Sequence, residues 1–477
     1  MGDRLSALDA SFLHLETEAA HMHVASVMLF EGDPPPVEEF REAIERRLHL
    51  VPRYRQHLAM VPFGQGRPRW VDDPHFNLSY HVRQSALPPP GSEEQLRNLA
   101  SRVLAQQLDR DKPLWEMWLV EGLEGGRFAI VAKTHHALVD GVSGVDIATV
   151  LFDASPTPEE PPDPPPRWLP APQPSSSQLL AEALIERGTA PGELARSVRA
   201  VFRAPRQLAS ALRDSIATAG SMFGAPSSPY NCRIGPHRRF TWARVSLGDV
   251  KAIKNELGGT VNDVVLSVVA GGLGRHLRDR GEDTTGVTLR AMVPVSARAE
   301  TERGALGNRV SAMMAPLPVW CEDPVERLSI VGEAMAGLKE SGQAVGADRI
   351  MGVADFAPPT ILGQAARLSH RQRAFNLVVT NVPGPQFPLF MLGRELSDLF
   401  PMVPLTSNTA LGVALMSYNG AINFGLVGDF DAMADIQDVA EDFEEALAEL
   451  AASAGVKLGA SRARKPSKKA RAKAPAS

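Results

Sequence analysis

The stretch Phe128-Ala-Ile-Val-Ala-Lys-Thr134-His135-His136-Ala-Leu-Val-Asp140-Gly141 joins an apolar run to a polar loop that ends in glycine. The run from Phe128 to Thr134 predicts a buried strand, with two histidines at its C-terminal end. Because side chains alternate across a strand, His135 and His136 should point to opposite sides and not share one metal ion. Gly141 gives the backbone freedom where the loop must reverse. We therefore predict a mixed fold in which a strand delivers one imidazole to a cavity.

An imidazole of this kind suits attack by a hydroxyl on an activated acyl group. We expect the ordinary histidine pKa of about 6.5, and positioned general-base help is typically worth about 10² to 10⁴ in rate. A thioester already has a good leaving group, so no enzyme nucleophile is required. The sequence has no GxSxG elbow, and neither Cys232 nor Cys321 lies in a recognisable reactive setting. The residues thus predict acyl transfer to an alcohol.

Composition excludes several other classes. The chain has 477 residues, 44% of them hydrophobic and 22% charged, which is typical of a globular protein with two cores. A net charge of -5 gives no field that would favour nucleic acid. Two distant cysteines exclude a disulfide framework, and the histidines have no metal-ligand spacing. With no run of eighteen apolar residues and no signal-like start, we expect a cytoplasmic protein whose contact with lipid is peripheral.

The first half alternates helical and extended patterns. Val37 to Leu50 predicts a helix, and Ser92 to Leu108 predicts another that opens with a capping box. Short strands are predicted at Arg69–Val71 and Leu78–Val82. An apolar helix is predicted from about Ser143 to Phe152.

The middle of the chain is a connection between two parts. Ala154 to Gln178 is crowded with proline and predicts an extended linker. A helical stretch from about Leu179 to Met222 follows, and a turn-rich stretch from Gly224 to His237 ends the crossover.

The second half repeats the mixed style. Thr260 is a plausible N-cap of an apolar helix. Strands are predicted at Thr288–Val295, Phe375–Val379, Leu411–Tyr418 and Ala421–Val427. The last two flank Asn419-Gly420, the strongest short hairpin signal. Composition predicts a turn at Asn381-Val-Pro-Gly-Pro385, and periodicity predicts a helix near Asp438–Ala452.

We therefore predict four segments. Residues 1–153 form an N-terminal lobe that carries the histidine pair, and residues 154–236 form the linker and helical crossover. Residues 237–456 form a second, similar lobe. Residues 457–477 form a basic, disordered tail, a solvated end that could equally hold anionic lipid headgroups.

Several further segments carry a family resemblance, in order along nearly the whole chain. They are Leu8-Asp-Ala-Ser-Phe12, Pro113-Leu114-Trp115-Glu116, Ile234-Gly-Pro-His-Arg-Arg-Phe240, Thr260-Val-Asn262-Asp263-Val-Val265, Val293-Pro-Val-Ser296 with Gly307-Asn308, and Thr380-Asn381-Val-Pro-Gly-Pro385. With HHxxxDG at 135–141, the chain resembles the bacterial wax ester synthase/diacylglycerol acyltransferase family of the coenzyme A-dependent acyltransferase superfamily.

The resemblance implies a fold and roles for individual residues. It implies two chloramphenicol-acetyltransferase-like lobes with an active-site channel between them. His136 inherits the role of general base, with His135, Asp140 and Gly141 in support. The residues implied in substrate binding are Pro113, Leu114, Trp115, Asn262 and Asp263. Arg298 is implied as the partner of Asp140, and Asn381 as structural support.

The resemblance also implies the substrates. Fatty acyl-CoA is the donor, diacylglycerol or a long-chain alcohol is the acceptor, and no metal or permanently bound cofactor is implied. Two alternatives stay open: another hydroxyl lipid or a carrier-bound acyl group as substrate, or a catalytically silent lipid-binding paralogue, against which the intact HHxxxDG argues. A stripe of Val198, Val201, Phe202, Leu208 and Leu212 beside several arginines is a candidate lipid-facing surface, although it could equally pack on the protein.

Two of the implied binding residues also have ordinary structural interpretations. Trp115 could be a core aromatic, and Asp263 suits the first turn of a helix.

Overall fold

The computed structural model describes residues 3–138, 152–157, 168–185, 224–296, 310–340 and 374–459. The helices of the first half are α1 (Ala7–Leu15), α2 (Val37–Arg47), α3 (Leu78–His81), α4 (Glu93–Ala105) and a helix at 176–185, α5. Its strands are β1 (His23–Glu31), β2 (Gln56–Ala59), β3 (Arg69–Asp72), β4 (Val82–Ala86), β5 (Trp115–Leu123) and β6 (Arg127–His135).

The second half has the same mixed character. Its helices are α6 (Leu247–Leu257), α7 (Val261–Asp279), α8 (Pro324–Glu340) and α9 (Ile436–Ser453). Its strands are β7 (Arg238–Ser246), β8 (Thr288–Ser296), β9 (Val310–Pro318), β10 (Leu377–Pro383), β11 (Phe390–Met391), β12 (Arg394–Met402), β13 (Leu411–Tyr418) and β14 (Ala421–Asp429).

Two six-stranded mixed sheets define two lobes. The first-lobe sheet has the order β11-β12-β1-β6-β5-β4, and the second-lobe sheet has the order β7-β14-β13-β10-β8-β9. Each contains parallel pairs, β4 with β5 in the first and β10 with both β8 and β13 in the second, among antiparallel neighbours. The architecture is the predicted one, two chloramphenicol-acetyltransferase-like lobes of mixed α/β structure.

Two strands from the second half of the chain belong to the sheet of the first lobe. Strands β11 and β12 come from the second half, yet β12 pairs antiparallel with β1 in the first-lobe sheet, for example Ser26 with Pro401. The chain then returns to the second-lobe sheet for β13. The predicted segment boundaries stay predictions, but residues 390–402 lie in the first lobe although they fall within 237–456.

A cluster of charged and aromatic side chains joins the lobes beside this exchange. Arg244 on β7 lies 3.1 Å from Glu93 at the start of α4 and 3.2 Å from Asp398 on β12. The indole N–H of Trp242 donates to the same Glu93 carboxylate at 3.1 Å. The cluster thus ties one helix of the first lobe, the exchanged strand and the edge strand of the second lobe together.

Most of the predicted elements are confirmed. The capping box at Ser92 and the N-cap at Thr260 are both present, and Thr260 also forms a capping box with Asp263. Tyr418 pairs with Ala421 across the hairpin turn, where Asn419 and Gly420 both have positive φ. The crossover helix begins at residue 176, three residues before the predicted start.

Two predicted elements are wrong. Leu78–His81 forms a helical turn capped by Asn77, whose side chain accepts from the Ser79 N–H, and the strand begins only at Val82. The alternation of Leu78, Tyr80 and Val82 resembles that of a strand, but the Asn77 cap favours a helical turn instead.

Residues Asn381 to Pro383 continue β10 and pair with β13, so the turn predicted at Asn381 begins only at Gly384. Proline is tolerated there because it lies at the end of the strand.

Three predictions lie wholly or partly outside the described residues. Six of the ten linker prolines and all but the last residue of the helix predicted at Ser143–Phe152 are outside them, as is the whole apolar stripe from Val198 to Leu212. Among the described residues, no single helix has the length and apolar composition to cross a bilayer; α6 and α7 meet that requirement only as a pair, which is bent by 99°.

A buried ion pair fixes β6 against α4. The ammonium of Lys133, 1% exposed, lies 2.6 Å from Glu116 and donates to the carbonyls of Val103 and Gln106, both at 2.7 Å. Its three N–H donors therefore face three acceptors, two of which are carbonyls at the C-terminal end of α4, where the regular helical hydrogen bonds end. The Val103 carbonyl also accepts from the Gln106 N–H, at 3.4 Å. Burial lowers the pKa of Lys133, and Glu116 opposes that shift.

We expect Lys133→Met to lower the free energy of unfolding by about 3 to 5 kcal/mol, because the buried Glu116 carboxylate loses its closest ion-pair partner and keeps Arg83 at 3.4 Å. Urea unfolding followed by circular dichroism measures the loss. In Lys133→Met/Glu116→Gln part of the stability should return, because the unpaired charge is gone. A single variant as stable as the wild type would contradict this account of the pair.

Candidate active site

The histidine pair lies where β6 ends in the middle of the first-lobe sheet. His135 is the last residue of β6, and its N–H donates to the Leu114 carbonyl at 2.9 Å. His136 begins a single turn of 3-10 helix, and its N–H donates to the Met22 carbonyl at 2.8 Å. The predicted strand and the position of the pair at its end are confirmed.

His135 is a buried linking residue. Its side chain is 1% exposed, and its Nδ1 accepts from the Ala137 N–H at 3.0 Å. In the neutral imidazole the proton is therefore on Nε2, which lies 3.6 Å from Oε1 of Glu16. His135 thus connects the backbone after His136 to a carboxylate on another element.

His136 faces a different neighbour. Its ring stacks on Phe12 of α1, with ring centres 4.0 Å apart and an angle of 23° between the planes. Burial is the main cause that lowers the pKa of His136, to about 4. The expected pKa of about 6.5 is therefore wrong, because the sequence does not reveal how densely the ring is surrounded.

The Pro113-Leu114-Trp115 segment lies directly beside the pair. Leu114 is fully buried and accepts the N–H of His135, and Trp115 is 1% exposed. The Trp115 indole donates to the Tyr54 carbonyl at 2.8 Å and stacks on His81 with ring centres 4.7 Å apart. These contacts are those of a core aromatic, and the substrate contact implied for Pro113, Leu114 and Trp115 stays a prediction.

Asn262 and Asp263 lie in the first turn of α7. The Asp263 carboxylate accepts from the N–H and the hydroxyl of Thr260, both at 2.8 Å, so it closes the cap of the helix. The Asn381 amide on β10 donates to the Asn262 side-chain oxygen at 3.4 Å. The structure thus connects Asn262 to Asn381 and gives Asp263 a capping role, while their implied roles toward substrate stay predictions.

Asp140, Gly141 and Arg298 lie outside the described residues, and the pairing of Asp140 with Arg298 stays a prediction. Within the described ranges, no group of three His, Cys, Asp or Glu side chains could hold a metal ion.

Sequence reasoning missed Glu16 and Phe12. Phe12 was present within a motif of the resemblance but received no role, and Glu16 lies four residues farther on, which is one turn of helix. That spacing was the available signal.

A narrow cavity lies between the lobes beside this site. It is lined by His21 and His23 on either side of Met22, by Arg238 of β7 and by Leu405, among others. The Arg238 guanidinium donates to the Ala19 carbonyl, so it joins the second lobe to the segment that precedes β1. Burial lowers the pKa of Arg238 to about 10.

The two mixed-sheet lobes and the histidine pair at the end of a central strand define an HHxxxDG acyltransferase. The model of the wax ester synthase/diacylglycerol acyltransferase catalytic domain matches residues 5–265, and that of the WS/DGAT C-terminal domain matches residues 306–451. The chain belongs to this family and is an acyltransferase enzyme of that type.

Individual proteins agree with the family. A probable diacylglycerol O-acyltransferase of Mycobacterium tuberculosis is 34% identical over 94% of this chain and 96% of its own. The solved wax ester synthase/diacylglycerol acyltransferase of Marinobacter aquaeolei is 28% identical, with a TM-score of 0.67 over 95% of this chain and all of its own. A starter condensation domain of rhizomide synthetase shares the fold, with a TM-score of 0.55 at 14% identity over 96% of both chains.

The pKa of His136 predicts the acid limb of the pH profile. If the neutral imidazole is the active form, activity is lost as the pH falls through the pKa of His136. We therefore expect kcat/KM to fall near pH 4 and not near 6.5, in measurements restricted to the pH range where circular dichroism shows the native fold. An acid limb centred at pH 6.5 in folded enzyme would refute the assignment.

Stability should have a different pH dependence. Burial lowers the pKa values of His21, His23, His81 and His276 as well. Below about pH 6.5 the unfolded chain therefore takes up protons that the folded state does not, and the free energy of unfolding should decrease toward pH 4. Urea unfolding at a series of pH values measures this separately from activity.

Proposed function

We propose that His136 is the general base that removes the proton of an acceptor hydroxyl as this hydroxyl attacks an acyl thioester. The O–C bond forms while the proton moves to the imidazole. The C–S bond then breaks, the thiolate leaves, and it takes the proton back from His136 to give the free thiol. The base ends in its starting form, and no covalent enzyme intermediate is required.

The observation that carries this proposal is a neutral imidazole held at a defined place. The His136 N–H is bound to Met22, the following N–H is bound to His135, and the ring is stacked on Phe12. Because the backbone is held on both sides of His136 and the ring is stacked on Phe12, less ordering is needed when the acceptor arrives, and such preorganisation is a large part of catalysis. The lowered pKa keeps the imidazole unprotonated at neutral pH.

The donor in this proposal is a fatty acyl-CoA, and the acceptor is diacylglycerol or a long-chain alcohol. The family membership supports both acceptors, because its description contains both activities. The relatives differ in emphasis, since the mycobacterial protein bears the name of a diacylglycerol acyltransferase and the Marinobacter protein bears both names. Neither acceptor requires a metal or a bound cofactor in this mechanism.

His136→Ala should lower kcat by at least about a hundredfold with either acceptor, because positioned general-base help is lost. Radiolabelled acyl-CoA, with diacylglycerol and a long-chain alcohol assayed side by side, measures this and also shows which acceptor the wild type prefers. His75→Ala, at an exposed histidine of the first lobe, is the control and should leave kcat unchanged. A folded His136→Ala variant with wild-type turnover would refute the mechanism.

We also propose that the enzyme works at a lipid surface, because its acceptors and products are nearly insoluble in water while its donor is soluble. The described residues include exposed apolar side chains suited to this, on a loop and a helix that lie against each other. Phe63, 86% exposed, and Met60, 62% exposed, lie in the loop between β2 and β3, and Leu184 on α5 is 53% exposed. A Cβ placed on Gly66 of this loop would lie 3.1 Å from Ala183 of α5, so loop and helix are in contact.

Phe63→Ser should reduce the fraction of enzyme that floats with liposomes, because an exposed aromatic ring is removed from the lipid-facing surface. Phe387→Ser, at a 44% exposed phenylalanine elsewhere on the chain, is the matched control and should float like the wild type. Liposomes with and without anionic lipid separate the apolar contribution from attraction of the basic tail. An enzyme that never floats in either mixture would exclude docking, and equal flotation of both variants would exclude this surface.

A further inference from the structure

Glu16 is a buried carboxylate at the end of α1, and its side chain is 1% exposed. Its Oε2 accepts from Nε of Arg110 at 3.1 Å and from Nη2 of the same residue at 2.5 Å. Its Oε1 accepts from the Met22 N–H at 3.3 Å and lies 3.6 Å from Nε2 of His135 and 3.5 Å from Nε2 of His23. Both carboxylate oxygens therefore accept hydrogen bonds, and Oε1 also faces the Nε2 proton of His135. Nε2 of His23 instead accepts from the Leu108 N–H at 3.4 Å.

The charge of Glu16 persists in this setting. Burial raises its pKa, but hydrogen bonds from His135 and Arg110 outweigh burial, so the pKa lies below its usual range. Glu16 is thus ionised at neutral pH and can only accept hydrogen bonds. Because burying an unpaired charge is costly, the loss of any one of these donors would destabilise the buried carboxylate.

Two routes lead from Glu16 to His136. On the first, Oε1 holds the Met22 N–H, and the Met22 carbonyl accepts the N–H of His136. On the second, Oε1 faces the Nε2 proton of His135, whose Nδ1 accepts the N–H of Ala137. The peptide groups before and after His136 therefore both depend on one carboxylate.

The same helix also places the imidazole ring. Phe12 and Glu16 are one helical turn apart. Phe12 stacks on the His136 ring, while Glu16 contacts Met22 and His135, whose hydrogen bonds hold the backbone on either side of His136. The end of α1 thus fixes both the ring plane and the peptide groups of the proposed base.

We propose that Glu16 is a positioning residue that acts through Met22 and His135 to hold His136 in its reactive orientation. It rests on the proposed function of His136, and Glu16 itself need not touch substrate. In the second route the Glu16 charge selects the tautomer of His135 with the proton on Nε2, which leaves Nδ1 free to accept from Ala137.

Glu16→Gln tests this with little change in shape. Glutamine would turn an N–H₂ group toward either Arg110 or the Met22 and His135 donors, so one set of donors loses its acceptor. We expect kcat to fall by about 10- to 100-fold, with the KM for acyl-CoA within about twofold of wild type, because orientation and not binding is lost. The assay uses the full chain with radiolabelled acyl-CoA and the preferred acceptor.

Glu93→Gln is the matched control. Glu93 is also a largely buried carboxylate bound by arginines, Arg127 and Arg244, but it joins the lobes away from the histidine pair. Its loss should shift the unfolding midpoint and leave kcat within about twofold, because a merely structural charge does not orient the base. If Glu93→Gln and Glu16→Gln lower kcat equally, Glu16 has only a structural role and the proposal is overturned.

A double-mutant cycle tests the route through His135. Asparagine at position 135 can still accept from Ala137 but cannot reach Glu16, so Glu16→Gln should cost less in His135→Asn than in the wild type. Equal costs in both backgrounds would overturn this route. If Glu16→Gln does not fold, Glu16→Asp replaces it in the test. Aspartate keeps the negative charge but is shorter by one methylene, so this variant should also lower kcat without raising KM. A wild-type kcat in folded Glu16→Asp would overturn the proposal.

His136→Ala, measured in parallel, separates this inference from the proposed function. Wild-type activity of His136→Ala would refute the proposed base whatever Glu16 does. Loss of activity in His136→Ala together with full activity in Glu16→Gln would refute only the positioning role.

Discussion

An ionised carboxylate can be buried only where donors surround it, and the end of α1 is arranged around this requirement. The buried negative charge of Glu16 is stabilised by Arg110, by a backbone N–H in the turn that leads into β1, and by a histidine on β6. These donors come from three segments that are distant in the sequence, so meeting the requirement also brings the segments together. The histidine pair lies at their meeting point, and its geometry follows from electrostatic satisfaction as much as from strand pairing.

Buried charge recurs around the same strand end. Two residues before His135, Lys133 contacts Glu116 and two carbonyls at the C-terminal end of α4. Arg238 of the second lobe donates to the Ala19 carbonyl. Each of these groups is costly to bury and each is satisfied by backbone carbonyls or a partner of opposite charge. Such contacts are directional, and they hold the surroundings of the site more tightly than apolar packing alone. The joint between the lobes at Arg244 works in the same way.

The sequence revealed the lobes and the location of the histidine pair because these depend on local patterns. The apolar run before His135, the cap at Thr260 and the hairpin at Asn419-Gly420 are each encoded within a few residues. It did not reveal the lowered pKa of His136 or the role of Glu16, because both depend on neighbours far along the chain. It also could not show that β12 joins the first-lobe sheet, since strand pairing at such distance leaves no periodic signal. Where local signals competed, as at Leu78, an asparagine cap decided against the strand.

The pairing of β1 with β12 has a consequence for synthesis on the ribosome. Ser26 emerges early, whereas its partner Pro401 follows a few hundred residues later, roughly 20 to 75 s at typical rates of translation. During that interval β1 can pair with β6 but keeps its other edge open, with Val27 and Leu29 among its apolar residues. An open apolar edge is a template for pairing with other chains. The first-lobe sheet can therefore be completed only after most of the second half has been made.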